Sequence, residues 1–177
     1  MALWTSAAHA GYIEIGTSGN YRISKIDEDN KQEMISYTGS VSYYFWELSA
    51  LELSYTKGSQ VVTTKFPGDP ARTISTTLFE MIGLDLVLTL ADKEALLQPY
   101  IKGGVARISK VIVREIEGMS RDQVETDPTV VPSAGVGFKV KFTKTLSLKV
   151  GVDAWKSSAG DTSVIDYAGR AGISWMF

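Results

Sequence analysis

Cysteine is missing from all 177 residues of this sequence. That excludes a disulfide framework or a thiolate metal site and leaves the redox compartment open. Histidine is almost missing too, with His9 as its only occurrence. Residues 11–177 therefore offer no imidazole to serve as a general base or to activate a nucleophile. No excess of positive charge exists: 18 Lys+Arg against 20 Asp+Glu leave a net −2. A nucleic-acid partner, which calls for a basic stripe, is not expected. Long apolar runs are lacking as well. A spanning helix needs ~18 consecutive apolar residues, and the longest stretch here, Ile82 to Ala91, is broken by Asp85. Averaged in this way the chain reads as a soluble globular domain, but averaging is blind to residues that alternate.

Alternation is what the sequence has. Between Met34 and Trp46 one set of alternate residues is Ile35, Tyr37, Gly39, Val41, Tyr43 and Phe45; the other is Met34, Ser36, Thr38, Ser40, Ser42 and Tyr44. Successive side chains of a strand point to opposite faces, so this segment has one apolar and one small-polar face. Similar segments follow at Leu51–Tyr55, Ile82–Leu90, Leu97–Ala106, Ala134–Phe142, Leu146–Ala154 and Asp166–Phe177, and a weaker one runs from Gly11 to about Ile23. The spacing predicts eight strands, all of them β and none helical.

The expected connections alternate in length. Short ones lie at Glu47–Ser49, Asp92–Ala95 and Thr143–Thr145; longer polar ones lie at Ser18–Glu33, Lys57–Arg72, Arg107–Val131 and Lys156–Val164. Part of the third, Ser109–Glu117, is expected to extend its strand. Short turns on one rim and long loops on the other are the arrangement of an eight-stranded antiparallel up-and-down transmembrane β-barrel. One domain, residues 11–177, accounts for the pattern. Residues 1–10, which end in Ala8-His9-Ala10, read as an export-signal remnant or an N-terminal tail.

The polar face carries small residues together with charges of both signs at mid-strand: Glu52, Asp85, Lys102, Lys139, Lys149, Asp153 and Arg170. On lipid, a mid-plane Lys or Arg costs about 2–4 kcal/mol, so this face is expected to line the lumen as a charge network. Turns centred on Lys93-Glu94 and Asp161-Thr162 would set Asp85 opposite Lys102 and Asp153 opposite Arg170. Lys139 would then face Lys149, a like-charge pair that needs an acid such as Glu52 or Glu14 from across the lumen. A solvated polar face would alternate in the same way. Aromatic residues Tyr12, Tyr43, Phe45, Trp46, Phe142, Trp175 and Phe177 fall at strand ends beside the short turns or the chain termini, as in an interfacial girdle. Tyr55, Phe79, Trp155 and Tyr167 are expected to form the opposite girdle.

The terminal strand, Tyr167-Ala168-Gly169-Arg170-Ala171-Gly172-Ile173-Ser174-Trp175-Met176-Phe177, and the segment Pro99-Tyr100-Ile101-Lys102-Gly103-Gly104-Val105 resemble the small eight-stranded outer-membrane proteins of the OmpA transmembrane domain, OmpX and OmpW group. The resemblance implies a bacterial outer-membrane location among lipid and lipopolysaccharide, in a Gram-negative-type envelope. It also implies an assembly signal carried by Tyr167, Ile173, Trp175 and Phe177 and read by the barrel-assembly machinery. A peptidoglycan-binding domain of the full-length OmpA kind, and with it anchoring to the cell wall, is not expected.

The expected function is that of a non-enzymatic monomeric barrel, structural, adhesive or ligand-contacting, with specificity in its long loops and a lumen plugged by ion pairs. The alternatives are a small gated pore of OmpA type, an outer-membrane enzyme, which would lack a histidine base, or a soluble lipocalin-like carrier with its apolar face inward. No catalytic residue, cofactor or metal is assigned. Asp27-Glu28-Asp29 lacks the spacing of a calcium loop, and Phe66-Pro67-Gly68-Asp69-Pro70 is turn chemistry. Removal of Phe177 is expected to slow barrel assembly in cells, which pulse-chase folding assays would detect; unchanged kinetics would reject the signal role.

Overall fold

In the computed structural model the described residues are 11–25, 31–65, 72–116, 122–159 and 162–177. They form β1 (Tyr12–Lys25), β2 (Lys31–Trp46), β3 (Ser49–Lys65), β4 (Arg72–Thr89), β5 (Leu97–Ile116), β6 (Asp122–Lys141), β7 (Leu146–Ala159) and β8 (Thr162–Met176). Each strand pairs antiparallel with the next, and β1 closes on β8 through Glu14↔Met176 to Gly19↔Ala171. The result is a closed eight-stranded barrel. Closure matters physically because an open sheet edge cannot be satisfied inside hydrocarbon. Residues 1–10, the Asp27-Glu28-Asp29 cluster and the Phe66–Pro70 turn lie outside the described residues.

The two faces fall where alternation puts them. Ile13, Ile15, Val41, Leu51, Leu53, Leu84, Leu86, Ile101, Phe138, Val150 and Ile173 stand exposed on the outer surface. Soluble proteins rarely present a contiguous apolar patch above ~600 Å², and this one encircles the molecule. Along β4 and the residue after it the belt runs from Ile82 to Leu90. Nine residues at ~3.4 Å each, tilted by ~40°, give a height near 23 Å, which matches the ~25 Å apolar band of an outer-membrane barrel. Just beyond it Lys57 and Glu80 face each other on the outer surface and pair at 3.0 Å. Charge returns where the belt ends.

The hairpins away from the short turns are longer than expected. Much of the segments Ser18–Glu33, Lys57–Arg72 and Arg107–Val131 is paired strand, not loop; in the third, the strand extension expected at Ser109–Glu117 is present, with β5 running to Ile116. The reason is local: Val61-Val62-Thr63-Thr64, Ile74-Ser75-Thr76-Thr77 and Val111-Ile112-Val113 are rich in β-branched residues, which favour extended backbone even where the pattern has turned polar. Strands of 14–20 residues exceed the 9–11 that cross a bilayer, so the excess projects beyond it.

Two registers differ from the sequence expectation. The β4–β5 turn centres between Glu94 and Ala95, because Leu90 N–H donates to Pro99 O and the Gln98 amide donates to the carbonyls of Asp92 and Lys93. Asp85 therefore sits opposite Gly104, and Lys102 opposite Val87. The β7–β8 pairing likewise places Asp153 opposite Ala168 and Arg170 opposite Gly151, following from Ala159↔Thr162. A turn centre moved by one residue moves the facing partner by two, so each side chain keeps its face.

The depth of the belt can be tested on one strand. Leu86→Arg, at mid-belt, is expected to cost about 2–4 kcal/mol of folding free energy in vesicles, and Leu78→Arg, beyond the Lys57–Glu80 pair, about 0–1. Denaturant titration in liposomes would measure both, and equal costs would contradict the assigned belt.

Candidate functional site

Small residues open the space in which the lumen charges meet. A Cβ added at Gly135 would lie 2.3 Å from Asp153 Oδ1 and 2.9 Å from Lys102 Cε. One added at Gly104 would lie 2.0 Å from the Leu84 carbonyl and 2.7 Å from Asp85 Oδ1. Eight strands leave an interior just wide enough for side chains, so these glycines make room for the long cationic stems.

Four cations and four carboxylates fill that space. Lys102 Nζ lies 3.0 Å from Asp85 Oδ2, 3.3 Å from Glu52 Oε1 and 3.3 Å from Asp153 Oδ1. Arg170 reaches Asp153 Oδ2 at 3.2 Å and Glu52 Oε1 at 3.6 Å. Lys149 Nζ bridges Glu52 Oε2 at 3.2 Å and Glu14 Oε1 at 2.7 Å. Lys139 donates to Glu14 Oε2 at 2.7 Å and to the Tyr44 hydroxyl at 2.9 Å, and that hydroxyl donates to Glu14 at 3.0 Å. Ser42 donates to Glu52 and Ser133 to Asp85. Glu14, Glu52, Asp85 and Asp153 balance Lys102, Lys139, Lys149 and Arg170, so these eight groups sum to zero.

All seven charges expected from the sequence meet here. The pairs Asp85–Lys102 and Asp153–Arg170 form as diagonal contacts, since the register is shifted and diagonal neighbours remain within reach of long side chains. Lys139 and Lys149 do stand directly opposite one another. Glu14, which reasoning from sequence left outside the network proper, answers both of them, and it is only 1% exposed. Its signal was present in the arithmetic: three acids against four bases leave one positive charge unbalanced, beside a like-charge pair.

Apolar layers flank the ions on both sides. Toward the short turns lie Tyr44, Ala50, Val87 and Tyr100, with Tyr12 stacked on Tyr44 at 4.4 Å. Toward the long hairpins lie Met34, Phe79, Ala106, Ile108, Val131, Trp155 and Ala168, with Met81 packed against them. Met34, Phe79, Met81 and Trp155 line two cavities, one of ~30 Å³ on the ionic side and one of ~80 Å³ beyond, and so stand between them. The smaller has room for about one water.

This layer corrects part of the girdle expectation. Phe79 and Trp155, at 8% and 9% exposure, face the lumen because they share the parity of Asp85 and Asp153. Tyr12 also turns to the lumen mouth, where its hydroxyl donates to the Glu47 carbonyl. Tyr43, Phe45, Trp46, Phe142, Trp175 and Phe177 do stand exposed on the short-turn rim, and Tyr55 and Tyr167 on the outer face are joined by Tyr21 and Tyr37. Tyr167, Ile173, Trp175 and Phe177 form one exposed apolar stripe along the end of the chain.

Among the described residues no cluster of three or more metal-ligating side chains occurs. Solved structures with the same fold include the N-terminal β-barrel domain of Pseudomonas aeruginosa OprF, at 19% identity over 94% of this chain and 97% of that one, TM-score 0.61. Neisserial surface protein A matches at 12% identity over 94% and 97%, TM-score 0.65. Ail, the attachment invasion locus protein of Yersinia pestis, solved with the heparin analogue sucrose octasulfate, matches at 10% identity over 94% and 97%, TM-score 0.56. No curated protein matches by sequence. The outer membrane protein beta-barrel domain model matches residues 1–177, and this chain, a closed barrel with its oily face outward and its charges within, belongs to that family.

Proposed function

We propose that this outer-membrane barrel is a non-enzymatic, structural or ligand-contacting protein whose lumen is plugged by its ion network. The observation that carries the reading is Glu52: it is 1% exposed and is approached at once by Lys102, Lys149 and Arg170. A carboxylate so placed ties β3 to β5, β7 and β8 across the lumen, which is a brace and not a passage. The paired strand beyond the apolar belt supports contact with an extracellular ligand through the hairpins, as does the sulfated sugar analogue bound to Ail. The exposed stripe ending in Phe177 suits recognition by the assembly machinery, and the belt suits lipid and lipopolysaccharide around a monomer. Residues 11–177 contain no histidine, which supports a role without an imidazole base.

A gated pore is the second reading, and one observation favours it. Lys102 is shared by three carboxylates and Arg170 by two, so partners could exchange through short side-chain movements.

Planar-bilayer recording separates the two. The wild-type protein is expected to stay closed, with Glu52→Gln conducting and losing about 3–5 kcal/mol of stability because three cations lose a common partner. Frequent discrete openings of the wild type would favour the gated pore. A Glu52→Gln variant as closed and as stable as the wild type would reject the plug.

A further inference from the structure

On the short-turn rim a cleft of ~420 Å³ lies between the β4–β5 and β6–β7 turns. It is lined by Lys93, Glu94, Leu96, Lys141, Phe142 and Lys144 among others. Three lysines against one glutamate give this lining a net charge of +2. Lys93 and Lys141 stand between this cleft and the lumen mouth, which they also line. Lys141 Nζ donates to the Lys93 carbonyl and Lys141 N–H donates to the Leu96 carbonyl, which bind one turn to the neighbouring strand end. Lys93 Nζ sits 4.5 Å above the Tyr12 ring. The second turn is fixed by Thr143 Oγ1, which accepts from the N–H groups of Thr145 and Leu146.

Leu96 and Phe142 in the same lining are exposed and continue into Leu97 and Phe138 on the lipid-facing surface. One wall of the cleft is therefore cationic and the other oily, at the level of the aromatic girdle. A ligand that fits both walls carries a negative headgroup and an acyl chain. We propose that this cleft binds the headgroup of an anionic phospholipid from the adjoining leaflet, with its chains lying along Leu96 and Phe142. The ammonium groups neutralise the phosphate at the membrane surface, where the apolar wall positions it. The proposal rests on this barrel spanning a bilayer with its short-turn rim at one interface.

The test is native mass spectrometry of the full chain in non-ionic detergent, with phosphatidylglycerol or phosphatidylcholine of equal chain length added. Phosphatidylglycerol is expected to be retained in preference, and retention to fall about five-fold for each lysine replaced in Lys93→Gln, Lys141→Gln and Lys144→Gln. Lys57→Gln, at the far edge of the belt, should leave it unchanged. Equal retention of both lipids, displacement by inorganic phosphate, or an equal fall with Lys57→Gln would overturn the proposal. Lys144→Gln, on an exposed turn, provides the same comparison should Lys93→Gln or Lys141→Gln fold poorly. Electrophoretic mobility before and after boiling of the same samples reports whether the barrel is intact, so loss of the lipid site and loss of the barrel are told apart.

Discussion

The structure depends on the apolar side chains of the outer face having hydrocarbon as their solvent. Once that face is committed to lipid, every strand must have two paired neighbours, since an unpaired backbone group in hydrocarbon costs several kcal/mol. Closure of β1 on β8 supplies the last pairing. The polar half of each strand is then forced into an interior too narrow for a wide water column. Ions placed there must neutralise each other, because low dielectric makes an unpaired charge far more costly than a paired one. Four carboxylates and four cations on seven of the eight strands do this, with β2 contributing Ser42 and Tyr44 as hydrogen-bonding partners.

The lumen is layered as well as neutral. Tyrosines and small apolar residues cover the ions toward the short turns, and the Met34–Phe79–Trp155 layer covers them toward the hairpins. Covering layers keep the dielectric around the ions low, which strengthens each attraction and makes each missing partner more damaging. A single buried carboxylate shared by three cations, as Glu52 is, therefore couples several strands and not one pair. The same geometry places the apolar layer in series with the ions, with Phe79 and Trp155 lining the cavities on both sides of it.

Face assignment was legible in the sequence because period two leaves no freedom: Leu86 and Asp85 cannot share a side. That parity delivered the lumen charges to one another even where the partner was off by two positions. Register was less legible, since it rests on turn centres, and the β4–β5 centre is set by Gln98 binding the carbonyls of Asp92 and Lys93, a tertiary detail without a sequence motif. Residue type alone puts Phe79 and Trp155 in a girdle, whereas their parity points inward. Glu14 lies on the weakest alternating segment, and the charge imbalance together with the Lys139↔Lys149 pairing marks the need for it. The reach of the hairpins is hidden because polarity there resembles that of a loop, while β-branched content keeps the backbone paired.

The most direct measurement is electrophoretic mobility of the detergent-solubilised protein with and without boiling. A closed barrel held by its strand ladder and ion network resists the detergent until heated, so the account predicts two distinct bands that merge into one after boiling. A single unshifted band, from protein that remains folded and monodisperse in plain buffer without detergent, would contradict it.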